Sequence, residues 1–216
     1  DCEAIEVVAG ADRSVDKQVE ATVRTWAKHR KKGAGVARSL IALLREANTS
    51  DQRVFSARRR ASIDAVVVLS ANASKDGYLL DLEFYGPDVP AGCLEWLIME
   101  IVAVLRREGV RYLSLGGTFG TQLKEHPNCD PEVLASFKQL NSTNVLNGDS
   151  NYQFKRKFRP HEKTMFLCRP KESRVSVAGF LSALSGQQNA LADNVWIGER
   201  LAIASDDAIV FENRLS

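Results

Sequence analysis

The sequence predicts an α+β domain in which helices flank a central sheet. Two apolar patterns with helical spacing come first, and the period then changes to short runs rich in β-branched and aromatic residues. A long helical pattern and another short apolar run follow, so helices and strands alternate in the second half of the domain. With 216 residues, the chain is long enough for one sizeable core, or for one domain with an appendage.

The first helix is predicted over 14–31, with Ser14 as its N-cap and Gly33 just beyond its end. Its apolar positions recur at helical spacing, and its last turn is basic, which suits the negative end of the helix dipole. A second helix is predicted over 36–47. The residues expected to face inward from this second helix are Leu40, Leu43 and Leu44.

Three strands are predicted next, over 54–57, 63–70 and 78–85, because these runs are short and rich in β-branched or aromatic residues. Lys75-Asp76-Gly77 supplies a hairpin turn between the second and the third of them. The sequence therefore predicts an antiparallel arrangement for this part of the sheet.

The strongest helical pattern in the chain starts after a loop that contains Pro87, Pro90 and Gly92, and Gly109 marks its end. A short buried strand is predicted over 110–115. The apolar positions of the helix fall at i, i+3, i+4, i+7, i+8 and i+11. They are Leu94, Leu97, Ile98, Ile101, Val102 and Leu105.

The last predicted elements are a helix over 131–140, capped by Asp130, and a strand over 164–168. The composition changes after residue 170, where a polar patch separates two apolar runs. We therefore predict one domain over 1–170 and a C-terminal extension, or a linker to a further domain, over 171–216.

Composition and charge limit the classes of function. A net charge of +2 is too small for general nucleic-acid binding, so any basic function is local. No apolar run approaches the ~20 residues that a membrane span needs, and the start has no secretory signal pattern, so we expect a cytoplasmic protein without an integral membrane segment. The 4 cysteines and 3 histidines are scattered, which predicts reduced thiols and no metal site.

Residues 151–160 form a basic-aromatic segment with four cations and three aromatic rings in ten residues. If the segment is extended, Lys155, Lys157 and Arg159 share one face. If it is helical, its two phenylalanines stack at i, i+4. Either geometry gives an apolar anchor that holds cations for an anionic ligand. The alternative is a solvated basic surface above two core phenylalanines.

The order of the elements resembles the GNAT acyltransferase fold, in which the strands before and after the long helix splay apart around the reaction cleft. Two stretches resemble a narrower group, the C-terminal catalytic domains of phosphatidylglycerol lysyltransferases and the Fem-type aminoacyl transferases. The first runs from Asp81-Leu82-Glu83-Phe84-Tyr85-Gly86-Pro87-Asp88-Val89-Pro90-Ala91-Gly92 to Leu113-Ser114-Leu115-Gly116. The second, Tyr152-Gln153-Phe154-Lys155-Arg156-Lys157-Phe158-Arg159-Pro160, is similar to the signature Phe-Lys-x-Lys-Phe-x-Pro.

The resemblance covers 14–170 and implies a GNAT-like fold with a mixed central sheet flanked by helices. It also implies an acyltransferase that moves an aminoacyl group from aminoacyl-tRNA to a hydroxyl or an amine. Phe84 departs from the group, which often has an arginine there. The membrane domain and the second GNAT-like unit of the lysyltransferases have no counterpart in this sequence, so a small soluble acceptor is expected at least as much as a lipid.

Aminoacyl transfer needs an acceptor held against the carbonyl, a group that removes its proton, and donors for the developing oxyanion. Asp81 and Glu83 alternate with apolar residues, so both carboxylates are expected on one face of their strand. They are the candidate catalytic residues if that face is the cleft, and edge-strand charges if it is solvent. The resemblance assigns substrate binding to Tyr85, Asp88, Ser114, Gly116, Tyr152, Lys155, Arg156, Lys157 and Arg159.

The expected donor is the acceptor end of aminoacyl-tRNA, with its phosphates on Lys155, Lys157 and Arg159 and with Arg156 outside that row. The GNAT members that use acyl-CoA hold its pyrophosphate on the amides of a Gln/Arg-x-x-Gly-x-Gly/Ala loop. Here residues 87–93 contain one glycine, two prolines and an aspartate, which argues against tight CoA binding, and no cofactor is expected.

Two alternatives remain open. An acyl-CoA-dependent N-acyltransferase would share the fold and differ in its donor. A non-catalytic docking domain of a larger biosynthetic enzyme would bind a partner without transfer. The chain begins at Asp1 rather than at a methionine, which favours a piece of a larger multidomain chain.

Overall fold

The computed structural model describes residues 2–30, 34–46, 51–118, 130–142, 148–163 and 210–214. The chain divides into two compact units, Asp1–Gly116 with Glu212–Ser216, and Gly117–Phe211. The predicted domain boundary near residue 170 stays a prediction. Among the described residues, the helices are too short or too polar to cross a bilayer.

The first unit contains a mixed sheet whose strands lie in the order β1-β2-β3-β4-β5. The strands are β1 (Cys2–Val7), β2 (Gln52–Arg59), β3 (Ser62–Ala71), β4 (Gly77–Tyr85) and β5 (Tyr112–Gly117). The β1–β2, β2–β3 and β3–β4 pairs are antiparallel, whereas β5 is parallel to β4. Antiparallel strands can be joined by tight turns, but a parallel neighbour requires a crossover, here a helix. The predicted fold class, a mixed sheet flanked by helices, is confirmed.

The strands predicted over 54–57, 63–70, 78–85 and 110–115 and the hairpin turn are confirmed, and β1 is an additional strand. Residues 2–7 were not predicted as a strand because they contain two acidic residues, and only Val7 among them is buried. In the turn between β3 and β4, Lys75 adopts a left-handed φ of 56°, and the N–H of Asn72 donates to the carbonyl of Gly77 at 3.0 Å. This geometry closes the hairpin.

Helices α1 (Arg13–His29) and α2 (Ala34–Glu46) pack on one face of the sheet. The helix α1 starts one residue earlier than predicted, and its N-cap is Asp12. The Asp12 carboxylate accepts the backbone N–H groups of Ser14 and Val15 at 2.8 and 3.3 Å. The prediction of Ser14 as N-cap is wrong. Asp and Ser are about equally good caps, so residue type does not separate two candidates two positions apart.

The core beneath α1 and α2 is continuous across four strands. Its fully enclosed members are Val23, Val66, Val68 and Phe84. The Trp26 ring meets Phe84 edge-on, with 5.1 Å between centroids. Leu43 lies outside this core with 36% of its surface exposed, so its expected inward orientation is wrong. Leu40 and Leu44 face the core as predicted, and Ala37 and Ile41 complete the inward face of α2.

Helix α3 (Cys93–Arg107) packs against β2 and β3 from the other side of the sheet and provides the crossover from β4 to β5. It begins after Gly92, whose left-handed φ of 84° turns the loop into the helix. The predicted apolar stripe is confirmed, and within it Val102 is only half-buried. The buried members are Leu94, Leu97, Ile98, Ile101 and Leu105.

The second unit contains α4 (Pro131–Ser142), α5 (Gly148–Arg156) and the short strand β6 (His161–Glu162), and β7 (Val210–Arg214) is the last described strand. The predicted cap of α4 is confirmed, because the Asp130 carboxylate accepts the N–H groups of Glu132 and Val133 at 2.9 and 3.3 Å. The strand predicted over 164–168 and most of 171–216 lie outside the described residues.

Candidate functional site

The strands β4 and β5 pair only at their beginnings. Their parallel register runs from Gly77 opposite Tyr112 to Leu79 opposite Ser114. Beyond this point β4 continues to Tyr85 and β5 to Gly117 without pairing to each other. Backbone groups at this edge of β4 are therefore released from the β5 ladder. Such groups can donate to a carbonyl or an oxyanion that enters between the strands.

The strand β4 carries a bulge at Asp81. Leu82 pairs with Val68 and Leu80 pairs with Leu69, so Asp81 has no partner residue of its own in β3. Adjacent residues of β3 point to opposite faces, which places Leu80 and Leu82 on opposite faces as well. The bulge therefore interrupts the alternation from which the orientation of Asp81 and Glu83 was predicted.

Asp81 and Glu83 lie on different faces of the sheet, so the expectation that they share one is wrong. The exposed Asp81 carboxylate accepts from the hydroxyl of Ser70 at 2.7 Å, on the face that Val68 and Leu82 occupy. Glu83 is half-buried and pairs with Val67, whose side chain points to the α3 face. The two carboxylates cannot act together as one pair, and each has to be tested separately.

Tyr85 ends β4 and is held by Arg30 from the end of α1. The guanidinium of Arg30 donates to the Tyr85 hydroxyl at 2.8 Å and lies 5.6 Å from the centre of its ring. This pair fixes the position of the Tyr85 side chain at the point where the chain leaves the sheet. Arg30 was not predicted from the sequence, because a basic residue in the last turn of a helix also satisfies the helix dipole.

Asp88 is exposed in the loop between β4 and α3, at the rim of a cavity of about 330 Å³. The cavity lies between α1, the start of β3 and this loop, and none of its lining residues comes from β5. Its polar lining includes Thr22, Arg59 and Asp64, and the last two form an ion pair at 2.6 Å. Asp88 therefore belongs to the α1 side of the loop rather than to the gap between β4 and β5.

Ser114 and Gly116 shape the end of β5. The backbone N–H of Gly116 donates to the Ser114 hydroxyl oxygen at 3.2 Å, and Gly116 has a left-handed φ of 75°. Both residues are half-buried, and Ser114 sits at the last paired position with β4. They therefore mark the point at which β5 departs from the ladder.

In the second unit, the basic-aromatic segment is helical, the second of the two predicted geometries. It forms the end of α5 and continues in tight turns, in which the N–H groups of Lys157, Phe158 and Arg159 each donate to the carbonyl three residues earlier. The rings of Phe154 and Phe158 stack edge-on with 5.5 Å between centroids. Arg159 then takes a left-handed φ of 48° before the proline.

One cation of the segment is buried and the other three are exposed. Lys155 is only 5% exposed, and its ammonium donates to the carbonyl of Gly117 at 3.0 Å within the second unit. The expectation of Lys155 as a surface cation is therefore wrong. The helix turns it inward, together with Tyr152, whose hydroxyl lies 3.5 Å from a Glu162 carboxylate oxygen.

Three cations of the segment are exposed, and we call them the cationic patch: Arg156, Lys157 and Arg159. Arg156 lies over the Tyr152 ring and Lys157 over the Phe154 ring, each 5.6 Å from the ring centre. Stacking on aromatic rings reduces the freedom of long side chains and holds their charges in place. Arg156 was predicted to lie outside the row of cations, and the helical geometry places it within this exposed group.

The predicted site residues thus fall into two groups. Asp81, Glu83, Tyr85, Asp88, Ser114 and Gly116 belong to the first unit, and Tyr152, Lys155, Arg156, Lys157 and Arg159 belong to the second. The residues that support them, such as Ser70 and Arg30, carry no sequence signal that distinguishes them from ordinary surface positions. Among the described residues, no group of three or more His, Cys, Asp or Glu side chains could hold a metal ion.

Several solved structures are similar to this chain. The chain is similar to the C-terminal domain of a protein assigned as a lysylphosphatidylglycerol synthetase from Agrobacterium fabrum, with a TM-score of 0.50 and 17% identity over 74% of this chain and 46% of that one. It is also similar to a GNAT-family acetyltransferase from Brucella melitensis, with a TM-score of 0.43 and 18% identity over 56% and 79% of the two chains. A GNAT-family acetyltransferase from Staphylococcus aureus gives a TM-score of 0.42 and 12% identity over 54% and 73%.

The mixed sheet, the helical crossover and the diverging strands are those of a GNAT-like acyltransferase fold. The sequence pattern of the family described as "Phosphatidylglycerol lysyltransferase, C-terminal" matches residues 4–169. The chain belongs to this family. A search of curated proteins finds no match to the chain.

Proposed function

We propose that this chain transfers an aminoacyl group from the 3′ end of aminoacyl-tRNA to an amine or a hydroxyl of an acceptor. The observation that carries the proposal is the divergence of β4 and β5 after Leu79 and Ser114. An aminoacyl ester entering this gap would place its carbonyl oxygen against the edge of β4 that β5 no longer covers, where backbone N–H groups can stabilise an oxyanion. Positioning and oxyanion stabilisation are the main requirements of the reaction, because the ester is already activated.

The loop between β4 and α3 supports a donor other than acyl-CoA. Gripping a pyrophosphate requires successive backbone N–H groups that point outward at the start of a helix. Pro87 and Pro90 contribute no N–H, and the exposed Asp88 adds a negative charge to the same loop. A diphosphate would therefore meet fewer donors and more repulsion than in a glycine-rich loop.

The cationic patch supports a polyanionic donor. Its three side chains are exposed, and two of them are stacked on aromatic rings, so little side-chain freedom would be lost on binding a phosphate. The net charge of the whole chain is only +2, so the attraction of a tRNA would be confined to such a patch. This suits recognition of the single-stranded acceptor end rather than of a long duplex.

Asp81 and Glu83 have separate parts in the proposal. Asp81 is exposed and accepts a hydrogen bond from Ser70. It would bind an acceptor ammonium, or take its proton, on the face of the sheet that carries Val68 and Leu82. Glu83 is half-buried on the other face, and it would bind the acceptor or take its proton only if the acceptor enters from the α3 side. The variants Asp81→Asn and Glu83→Gln distinguish the two roles. Replacing the catalytic base should lower the rate of aminoacyl transfer about 10²–10⁴-fold, whereas replacing the other carboxylate should leave that rate nearly unchanged.

The donor assignment is tested by filter binding of a charged tRNA to the alanine variants of Arg156, Lys157 and Arg159. Each variant should bind more weakly at low salt, and the slope of log K against log salt should fall by about 0.7 per cation removed. Arg38→Ala is the matched control, because Arg38 is an exposed cation on α2 in the first unit. The assignment is refuted if the three patch variants bind the charged tRNA as tightly as the Arg38→Ala control.

A further inference from the structure

The cavity beside Asp88 lies inside the first unit and is bounded by three parts of the chain. Its walls come from α1, from the start of β3 with the turn before it, and from the loop between β4 and α3. Its volume of about 330 Å³ is at the lower end of the range for ligand sites, which suits a small molecule. The described residues that line it include none from β5, so it is separate from the gap between β4 and β5.

The side chain of Gln18, on α1, brings an unsatisfied amide to the wall of this cavity. Its carbonyl oxygen is buried and accepts no hydrogen bond from the described residues. Its nitrogen makes a long contact of 3.5 Å with the Ser14 hydroxyl. A buried acceptor without a donor carries a free-energy cost, which a donor on a ligand would remove. Rotation about the terminal torsion of the side chain, whose preferences are broad, would present the oxygen to the cavity.

The neighbouring polar groups of the wall also accept hydrogen bonds. The buried Thr22 hydroxyl directs its proton to the backbone carbonyls of Gln18 and Ile63, both 3.0 Å away. The Asp64 side chain is only 10% exposed, and one of its oxygens accepts from Arg59 at 2.6 Å. Its other oxygen accepts a long bond of 3.4 Å from a neighbouring hydroxyl. The cavity therefore offers mainly acceptors, and a complementary ligand carries donors.

The charged residues of the wall leave one negative charge in excess. Arg59 balances Asp64 in their ion pair, and the exposed Asp88 adds a second carboxylate at the rim. An anionic ligand would be repelled by this excess. Within the part of the chain that the structure describes, no group of three His, Cys, Asp or Glu side chains could hold a metal ion. The charges therefore favour an organic cation.

Apolar groups complete the wall. Ile63 is 8% exposed, and Pro87 and Val89 contribute from the loop. The loop approaches α1 closely, since a Cβ on Gly86 would lie 3.5 Å from the methyl group of Thr25, an ordinary contact distance. A short hydrocarbon stem would therefore find apolar surface beside the acceptors.

We propose that this cavity binds a small primary ammonium ion with a short apolar stem. The ammonium group has three N–H donors, of which one serves the Gln18 oxygen and another the Asp88 carboxylate. The stem lies against Ile63 and Val89. Such a ligand connects α1 to the loop between β4 and α3. The proposal concerns a site outside the gap between β4 and β5, and it does not depend on the transferase function.

The test is an NMR titration of the purified chain with n-butylammonium chloride at constant ionic strength. The backbone amide signals of Thr22, Gly86 and Val89 should shift in a saturable way. Two further compounds separate the contributions of charge and of N–H donors. The n-butyltrimethylammonium ion keeps the charge and the stem without an N–H group, and 1-butanol lacks the charge. Each should bind at least about tenfold more weakly than n-butylammonium.

Two variants test the residues that carry the proposal. Gln18→Met removes the amide at similar length, and Asp88→Asn removes the charge at the rim. Each should weaken n-butylammonium binding about tenfold without lowering the melting temperature. Glu100→Gln is the matched control, because Glu100 is an exposed carboxylate on α3, outside the cavity.

Three outcomes overturn the proposal. The first is the absence of saturable shifts at these amides, which would leave water as the partner of Gln18. The second is equal affinity for n-butylammonium and its trimethylated analogue, a comparison that needs no substitution in the chain. The third is binding by Gln18→Met and Asp88→Asn that is as tight as binding by Glu100→Gln.

Discussion

The burial of Lys155 changes which cations of the basic-aromatic segment can bind a ligand. The signature-like segment offers several cations that look equivalent in the sequence, yet only Lys155 is turned into the second unit, where it donates to the Gly117 carbonyl. Arg159, four residues later, is exposed. We infer that Lys155 holds the segment in place and that its exposed neighbours are the ones available to a ligand.

Replacing Lys155 with alanine should destabilise the chain by about 1–3 kcal/mol, because a partly buried hydrogen bond from a charged donor is lost. Lys155→Met, which keeps most of the apolar stem, should remain destabilised by a similar amount. Arg159→Ala is the matched control and should fall within about 0.5 kcal/mol of the parent, as exposed substitutions usually do. Urea unfolding measures all three, and equal midpoints for Lys155→Ala and Arg159→Ala would show that the buried contact has no role.

At the scale of elements, the pairing of β4 with β5 starts at a close contact. Gly77 lies against the ring of Tyr112, and a Cβ at this position would come within 2.7 Å of the ring atoms. The ring cannot move away easily, because the Tyr112 hydroxyl is hydrogen-bonded to the Asn72 side chain, which also binds Asp76 in the hairpin turn. This contact holds the closed end of the gap between the two strands.

Gly77→Ala should therefore cost about 1–3 kcal/mol through overpacking. The cost should shrink when Tyr112 is also replaced by leucine, because the clash is with the ring, and a double-mutant cycle by urea unfolding measures the difference. Gly35→Ala is the matched control, since Gly35 lies in α2 with open space around it. This variant should be more stable than the parent by up to about 1 kcal/mol, because alanine has the higher helix propensity. Additive effects of the Gly77 and Tyr112 changes would contradict the account.

A second contact between elements joins β1, β2 and the end of α3. Arg53 is 16% exposed and donates to the carboxylates of Glu6 and Glu108, while it stacks on the rings of Phe55 and Tyr78. The hydrogen bond from Arg53 is the largest cause that lowers the pKa of Glu108. The contribution of Glu108 to stability is therefore present above its unfolded pKa of about 4.3 and is lost as the pH falls through its lower folded pKa.

Arg53→Met should accordingly reduce the dependence of stability on pH below about pH 4.5, because Glu108 would no longer be favoured in its charged form. Urea midpoints of the parent and the variant, measured from neutral pH downward, should converge as the pH falls. Lys75→Met is the control, since Lys75 forms an exposed pair with Asp51 that solvent screens. Parallel curves for the parent and Arg53→Met would show that Glu108 is not linked to Arg53.

The sequence predicted most elements because their signals are local. The stripe on α3 and the turn at Lys75-Asp76-Gly77 follow from spacing and turn chemistry alone. The bulge at Asp81 could not be predicted in this way, because an extra residue in a strand leaves no mark in the pattern of apolar residues. It nevertheless reverses the face to which the preceding side chains of β4 point. The inward turn of Lys155 likewise depends on which face of α5 is covered, and this is decided by tertiary packing.

At the scale of the whole molecule, the account rests on family membership, on diverging strands in one unit and on a cationic patch in the other. An acyltransferase of this fold is defined mainly by its donor, and the two possible donors differ in how their charge is recognised. A CoA thioester would require the loop between β4 and α3 to bind a diphosphate, whereas a charged tRNA would require cations that meet a nucleic-acid backbone.

The most direct test is donor consumption. The chain is incubated with a mixture of aminoacyl-tRNAs and, separately, with a set of acyl-CoA thioesters, each with small amines and phosphatidylglycerol vesicles offered as acceptors. We expect loss of an aminoacyl ester above the spontaneous rate, reduced in the Arg156→Ala, Lys157→Ala and Arg159→Ala variants, and no loss of thioester. Consumption of a thioester with no change in any aminoacyl-tRNA would contradict the account.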